Sequence, residues 1–150
     1  MLIRNDRAMV AVTVMLDVTF HAGRGTTVSA TDIAERIGSA RRGLEPLLQS
    51  LTRAGLLESV RGPRGGYRLA RPPRAIRLLD VVTVAVATGE ADATDGPSGR
   101  LQAAVVDRLW EELDQEVSAR LAALTLDDLL KRAAAAGLRR PAADPISYVI

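Results

Sequence analysis

The stretch from Arg61 to Leu69 reads RGPRGGYRL and follows directly on a short apolar segment ending in RAGLLESV. Few arrangements suit that order. Gly62, Gly65 and Gly66 permit the positive φ angles of a tight reversal, Pro63 stiffens its tip, and Arg61, Arg64 and Arg68 make the protruding loop a cation. Residues 57–61 and 67–70 supply the two strands, with Val60, Tyr67 and Leu69 able to cover helices behind them. This is the layout of a wing that enters a DNA groove.

The residues upstream supply the helices such a wing needs. Asn5 or Asp6 can cap a first helix running to about Ala22, and Ala8, Met9, Ala11, Val12, Val14, Met15, Leu16, Val18 and Phe20 leave it apolar on most sides. More than one neighbour must bury it. Gly23 and Gly25 break it, Ser29 with Asp32 fits a capping-box-like start, and Ile33, Ala34 and Ile37 form one face of a second helix that Gly38 ends. Ser39 is a candidate cap for a third, whose Leu44, Leu47, Leu48 and Leu51 follow helical spacing up to Gly55. Pro46 fits if regular helix begins near Gly43, so that its missing N–H falls in the first turn; otherwise a kink is expected. Two short helices joined by a tight turn, the second with a basic leading end, read as helix-turn-helix.

Charge is distributed in the same sense. Residues 1–80 hold 13 arginines against 7 acids and residues 81–150 hold 7 basic residues against 11 acids, so a net charge of +2 hides a gradient from +6 to −4. From Arg53 to Arg77 there are seven arginines and one acid, Glu58. The N-terminal half is the half suited to a polyanion.

A short extended piece, 76–78, leads into a helix at about 79–87, and GEADATDGPSG (89–99) is polar, acidic and without period, hence a loop. From about Arg100 to Ala123, Leu101, Val105, Leu109, Leu113, Val117, Leu121 and the following Leu124 recur every three or four residues, with Val106 and Trp110 widening the stripe. A helix of about 24 residues is a rod of roughly 36 Å. Such a rod cannot bury its whole stripe against the preceding domain, so a second copy of the chain is the expected partner. Thr125 with Asp128 caps a last helix, 126–136, ended by Gly137. The expected fold is mainly α with a small β-hairpin: a winged helix-turn-helix over 1–88 with its wing at about 57–70, a loop at 89–99, a dimerisation helix and terminal helix over 100–136, and a tail at 137–150 that is either loose or docked by Ile146, Tyr148, Val149 and Ile150.

A helix fits the major groove, and the side chains of its leading end reach base edges. Here those are Arg41, Arg42 and Glu45. Either arginine can pair with guanine or contact phosphate; Glu45 can accept from the cytosine amino group or pair with a neighbouring arginine. Arg61 and Arg64 suit a narrow minor groove, where the potential is most negative.

In AVTVMLDV, DIAERIG, LEPLLQSLTRAGLLESVRGPRGGYRLA and LWEELDQEVSARLAALTLDDLL the chain resembles the Rrf2 family of winged-helix bacterial transcription regulators over about residues 1–136. The resemblance implies a major-groove role for Glu45, a minor-groove role for Arg61 and Pro63, and dimerisation through the helix that carries Trp110. The chain also departs from the family. Members that sense iron, nitric oxide or redox state place three cysteines in the loop before the long helix, where this chain has GEADATDGPSG, and it has no cysteine anywhere. In the family's cluster regulator a histidine ligand lies three residues before the matching tryptophan, where this chain has Asp107. The resemblance is therefore to the cysteine-free branch, whose members respond to a partner protein or a small metabolite. Glu90, Asp92, Asp95 and Asp107 are either a hard-metal cluster or, as read here, solvated carboxylates; no metal and no cofactor is expected.

The lack of cysteine excludes disulfides, thiolate metal sites and a cysteine nucleophile. His21 is the single histidine, and with no cysteine and no fitting serine context beside it there is no catalytic triad to build; RGPRGG also lacks the Gly-Lys-Ser/Thr of a phosphate-binding loop. No catalytic residue is expected. With no apolar run of about 18 residues and no secretory signal, a cytoplasmic location is expected. The sequence reads as a DNA-binding regulator, a repressor in preference to an activator, acting as a homodimer on a palindromic site in double-stranded DNA. The alternative is a winged-helix adaptor that docks an acidic partner protein.

Overall fold

The structure is a computed structural model that describes residues 6–23, 25–89 and 99–141. The first helix, α1 (Asp6–His21), lies at the centre and buries Ala8, Ala11, Val14, Met15 and Val18. It packs against α2 (Ala30–Ile37), the second wing strand, α4 (Leu78–Ala87) and α6 (Leu126–Ala135). Neighbours on several sides are what a helix apolar nearly all round requires.

Ser29 caps α2 by accepting from the Asp32 N–H at 3.1 Å, and Gly38 ends it in the left-handed region at φ 68°. The third helix, α3 (Arg41–Arg53), buries Leu44, Leu47, Leu48 and Leu51, the stripe its spacing predicts. Its start differs from expectation. Ala40, not Ser39, occupies the cap position without a side-chain bond, and the Gly43 N–H closes the first turn on the Ala40 carbonyl at 3.0 Å. Pro46 therefore lies inside the helix and offers the Arg42 carbonyl no N–H; residue 42 is exposed, so water can serve that carbonyl instead.

Strands β1 (Leu57–Val60) and β2 (Gly66–Leu69) pair antiparallel, with Leu57 opposite Leu69 and Val60 opposite Gly66. Val28 extends this sheet by one residue, exchanging both backbone bonds with Tyr67 at 2.8 and 2.9 Å. A 3₁₀ turn, Pro73–Ala75, leads to Ile76, which is fully buried. The segment then pairs with the junction before α6: the Leu78 N–H donates to the Leu124 carbonyl at 2.9 Å and the Leu126 N–H to the Ile76 carbonyl at 3.1 Å.

The long helix covers 100–123: after the helical residues 100–101 comes a π turn at Gln102–Val106, followed by α5 (Asp107–Ala123). The π turn holds an extra residue, which shifts the phase of the apolar stripe at that point. Gln102 ties it off by donating from its amide to Asp107 Oδ1 at 3.0 Å. Thr125 and Asp128 form the reciprocal cap of α6, and Gly137 follows its end at φ 82°. Leu126 is fully buried in the same core as Met15, Leu48 and Ile76. The expected loop with Glu90, Asp92 and Asp95, the cap Asn5, and the tail residues Ile146, Tyr148, Val149 and Ile150 lie outside the described residues. Among those described, no helix is long and apolar enough to cross a membrane.

Candidate nucleic-acid interface

The hairpin tip is fixed by backbone chemistry. The Gly65 N–H donates to the Gly62 carbonyl at 2.8 Å, closing a turn with Pro63 and Arg64 at its corners. Gly62 has φ 115°, a conformation other residues rarely adopt. Gly65 does not have the positive φ expected for it; it is needed for space, since a Cβ there would lie 2.5 Å from the Val60 carbonyl oxygen. Gly66 is equally confined, its Cβ position being 2.5 Å from the Val28 oxygen. Thr27 steadies the tip by donating from its hydroxyl to the Arg64 carbonyl at 2.7 Å.

Of the hairpin's three arginines, two remain available. Arg68 donates to Glu58 Oε2 at 2.9 Å across the strand pair. The hydrogen bond and charge of each hold the Glu58 carboxyl below its usual range and raise the Arg68 guanidinium. Both are solvent-accessible, so this pair adds little stability, but it withdraws Arg68 from the cationic tip. Arg61 and Arg64 are exposed, and among the described residues neither guanidinium has a partner. Pro63 is exposed between them.

On α3, Arg41, Arg42 and Glu45 are all exposed. Arg41 Nε lies 3.3 Å from Glu45 Oε1, while its Nη1 donates to Thr31 Oγ1 on α2 at 3.3 Å. The arginine pairing left open for Glu45 is thus present in the protein without DNA, and it is an exposed pair that DNA can rearrange. The Arg42 guanidinium is unpaired among the described residues. A groove of about 380 Å³ runs between α3 and the wing, bordered by Arg41, Glu45, Gln49, Ser59 and Tyr67. Gln49, Ser59 and Thr31 went unmarked in the sequence reading. Helical spacing from Arg41 through Glu45 places Gln49 on the same side, so Gln49 was open to discovery; Ser59 reaches the groove only through the strand register.

Behind this surface, Arg36 of α2 grips Asp17 of α1 with two bonds of 2.9 and 2.8 Å. The Asp17 side chain is 8% exposed. That hydrogen bond raises the Arg36 guanidinium despite some burial. His21, the last residue of α1, places Nδ1 3.3 Å from the same carboxylate. The helix that precedes α3 is therefore anchored by a bidentate ion pair as well as by Ile33 and Ala34.

The residues expected at a dimer interface divide along α5. Leu101, Val105, Leu109 and Trp110 are 76%, 55%, 46% and 39% exposed. Leu113, Val117 and Leu121 are half-buried, and Leu121 packs on the core. Four large apolar side chains are thus left exposed toward the leading end of the rod.

The profile of the Rrf2 family, described as "Iron-dependent Transcriptional regulator", matches residues 4–132. The HTH-type transcriptional regulator IscR of Aliivibrio salmonicida is 38% identical over 122 residues, covering 80% of this chain and 72% of that protein. IscR of Xenorhabdus nematophila is 35% identical over 123 residues, covering 81% and 74%. Among solved structures, T. potens IscR matches with a TM-score of 0.71 at 33% identity over 92% of this chain and 93% of that one. CymR, the global cysteine regulator of B. subtilis, matches with a TM-score of 0.68 at 28% identity over 88% and 98%. These relatives are transcriptional regulators, not enzymes. The iron in the family's description finds no thiolate here, because the chain has no cysteine. Among the described residues no cluster of three histidine or acidic side chains could hold a metal either. The described residues do not fit an iron centre, and the chain offers no thiolate for an iron–sulfur cluster.

Proposed function

The chain belongs to the Rrf2 family of winged-helix transcriptional regulators, and from that premise we propose that it binds a palindromic operator as a homodimer, a repressor in preference to an activator, without an iron–sulfur cluster. Each protomer places α3 in a major groove, with Arg42 and Glu45 at base edges, and its wing in the adjoining minor groove through Arg61, Pro63 and Arg64. Arg41 supports Glu45 from the side. The observation that carries this reading is the set of unpaired, exposed guanidiniums of Arg42, Arg61 and Arg64 on the two elements that border one groove. A cation left without a protein partner at such a place is available for phosphate or a base.

The exposed stripe of Leu101, Val105, Leu109 and Trp110 supports pairing of two copies through the long helix. Two copies related by a dyad match half-sites about one helical turn or a multiple of it apart. With no cysteine to hold a cluster, the effector is of the class the family resemblance implies, a small metabolite or a partner protein. Selection of bound duplexes from a random library, with no metal added, tests the reading. A palindromic motif bound by two protomers is the expected result. Recovery of no motif, or binding that competes with acidic proteins and not with duplex DNA, would overturn it.

A further inference from the structure

The buried leucines of α3 define its opposite face. With Leu44, Leu47, Leu48 and Leu51 turned to the core, the side chains pointing farthest from it include Arg42 and Gln49, with Glu45 beside them. Arg42, Glu45 and Gln49 stand at i, i+3 and i+7, so one exposed ridge carries all three. From Arg42 to Gln49 the helix rises about 10 Å, close to three base-pair steps of about 3.4 Å. Arg41 lies to the side of this ridge and is held by both Glu45 and Thr31. Gln49 is exposed, its amide has no partner among the described residues, and it faces the groove shared with Ser59 and Tyr67 at the base of the wing.

We propose that Gln49 is a specificity-determining residue that reads an adenine in each half-site, on the wing side of the base pair met by Glu45. A glutamine amide offers one donor and one acceptor side by side, which matches the N6 amino group and N7 of adenine in the major groove. No other base presents that pair in the same order. Arg42 and Glu45 match guanine and cytosine, so the ridge as a whole reads three different base edges. Arg41 acts as a positioning residue that aims the Glu45 carboxylate. This inference rests on the DNA-binding reading above.

The test is parallel selection from a random duplex library with the wild-type protein, Gln49→Ala and Gln49→Glu, each folded variant being checked by its thermal melt. The wild-type motif is expected to contain an A·T pair in each half-site at which Gln49→Ala loses about tenfold or more of its preference, the other positions keeping theirs. Gln49→Glu is expected to move the preference at that position toward cytosine. Because glutamine carries no charge, the salt dependence of Gln49→Ala binding stays at the wild-type slope. A motif unchanged in Gln49→Ala, or affinity lost evenly over all sequences, would overturn the assignment while leaving the DNA-binding reading intact. No motif from the wild-type protein would overturn both.

Discussion

Replacing Gly65 with alanine puts a methyl where the hairpin has no space. The new Cβ would sit 2.5 Å from the Val60 carbonyl oxygen and 2.8 Å from that of Gly62, where ordinary contact begins at 3.4 Å. Both oxygens belong to the backbone, so neither can swing aside; the end of β1 or the turn must shift by most of an ångström. Forcing extra volume into a tight site costs about 1–3 kcal/mol. For a domain of this size each kcal/mol lowers Tm by roughly 4 °C, so Gly65→Ala should melt about 4–12 °C below wild type. The same shift displaces Arg61, Pro63 and Arg64 and strains the Thr27 bond to the Arg64 carbonyl. Affinity for the selected operator should therefore fall at least about tenfold, equivalent to roughly 1.4 kcal/mol. Thermal melting by circular dichroism and titration of labelled operator measure the two effects, with Pro63→Ala as an exposed control expected to melt within a few degrees of wild type. An unchanged Tm would refute the close approach drawn for Gly65. A lowered Tm with undiminished operator affinity would refute a role for the wing in binding.

Asp17→Ala removes the partner of Arg36 and should cost about 1–3 kcal/mol by denaturant melt, less than a fully buried pair because Arg36 is partly exposed; a neutral result would deny that the pair anchors α2. Changing Arg61 and Arg64 together to alanine should reduce the slope of log affinity against log salt by up to about 1.8, near 0.9 for each phosphate lost, as read by titration at several salt concentrations. Val105→Glu with Leu109→Glu should leave a folded monomer by sedimentation, with operator binding lost; a persistent dimer would place the interface elsewhere. The Asp128 carboxyl is held below its usual range, chiefly by the bond from the Thr125 backbone, so its contribution is present above the unfolded carboxylate pKa and lost as pH falls through the depressed folded one. The Tm difference between wild type and Asp128→Asn should thus be full at neutral pH and disappear on acidification below the ordinary carboxylate range, as followed by melts across that window.

Features set by neighbours in the chain were legible beforehand. Ser29 and Asp32, Gly38, and Thr125 with Asp128 depend on residues within one turn, and the Leu44 to Leu51 stripe needs only helical spacing. Pairings between distant segments were not. The match of Glu58 with Arg68 follows from strand register, which decides that the wing keeps two available arginines instead of three. Val28 joining Tyr67, and Ile76–Leu78 joining the start of α6, bring together segments that no local pattern links. On α3, propensity favoured a start at a better capping residue and a proline near the first turn, whereas burial of the leucines sustains a helix that begins at Arg41 and contains Pro46. The candidate site was visible as residue types and positions; which of its cations are already occupied became visible only in three dimensions.

The return of the chain through α6 determines what a protease would release. Leu126 is fully buried beside residues of α1, and its N–H is bonded to the carbonyl of Ile76. A single cut anywhere between Gly89 and Gly99 therefore yields two fragments that remain one particle, stitched by the Ile76–Leu78 ladder and by the apolar seat of Leu126. The nicked protein should migrate as intact material on a sizing column and as two pieces only in detergent, and halves expressed separately should reconstitute on mixing.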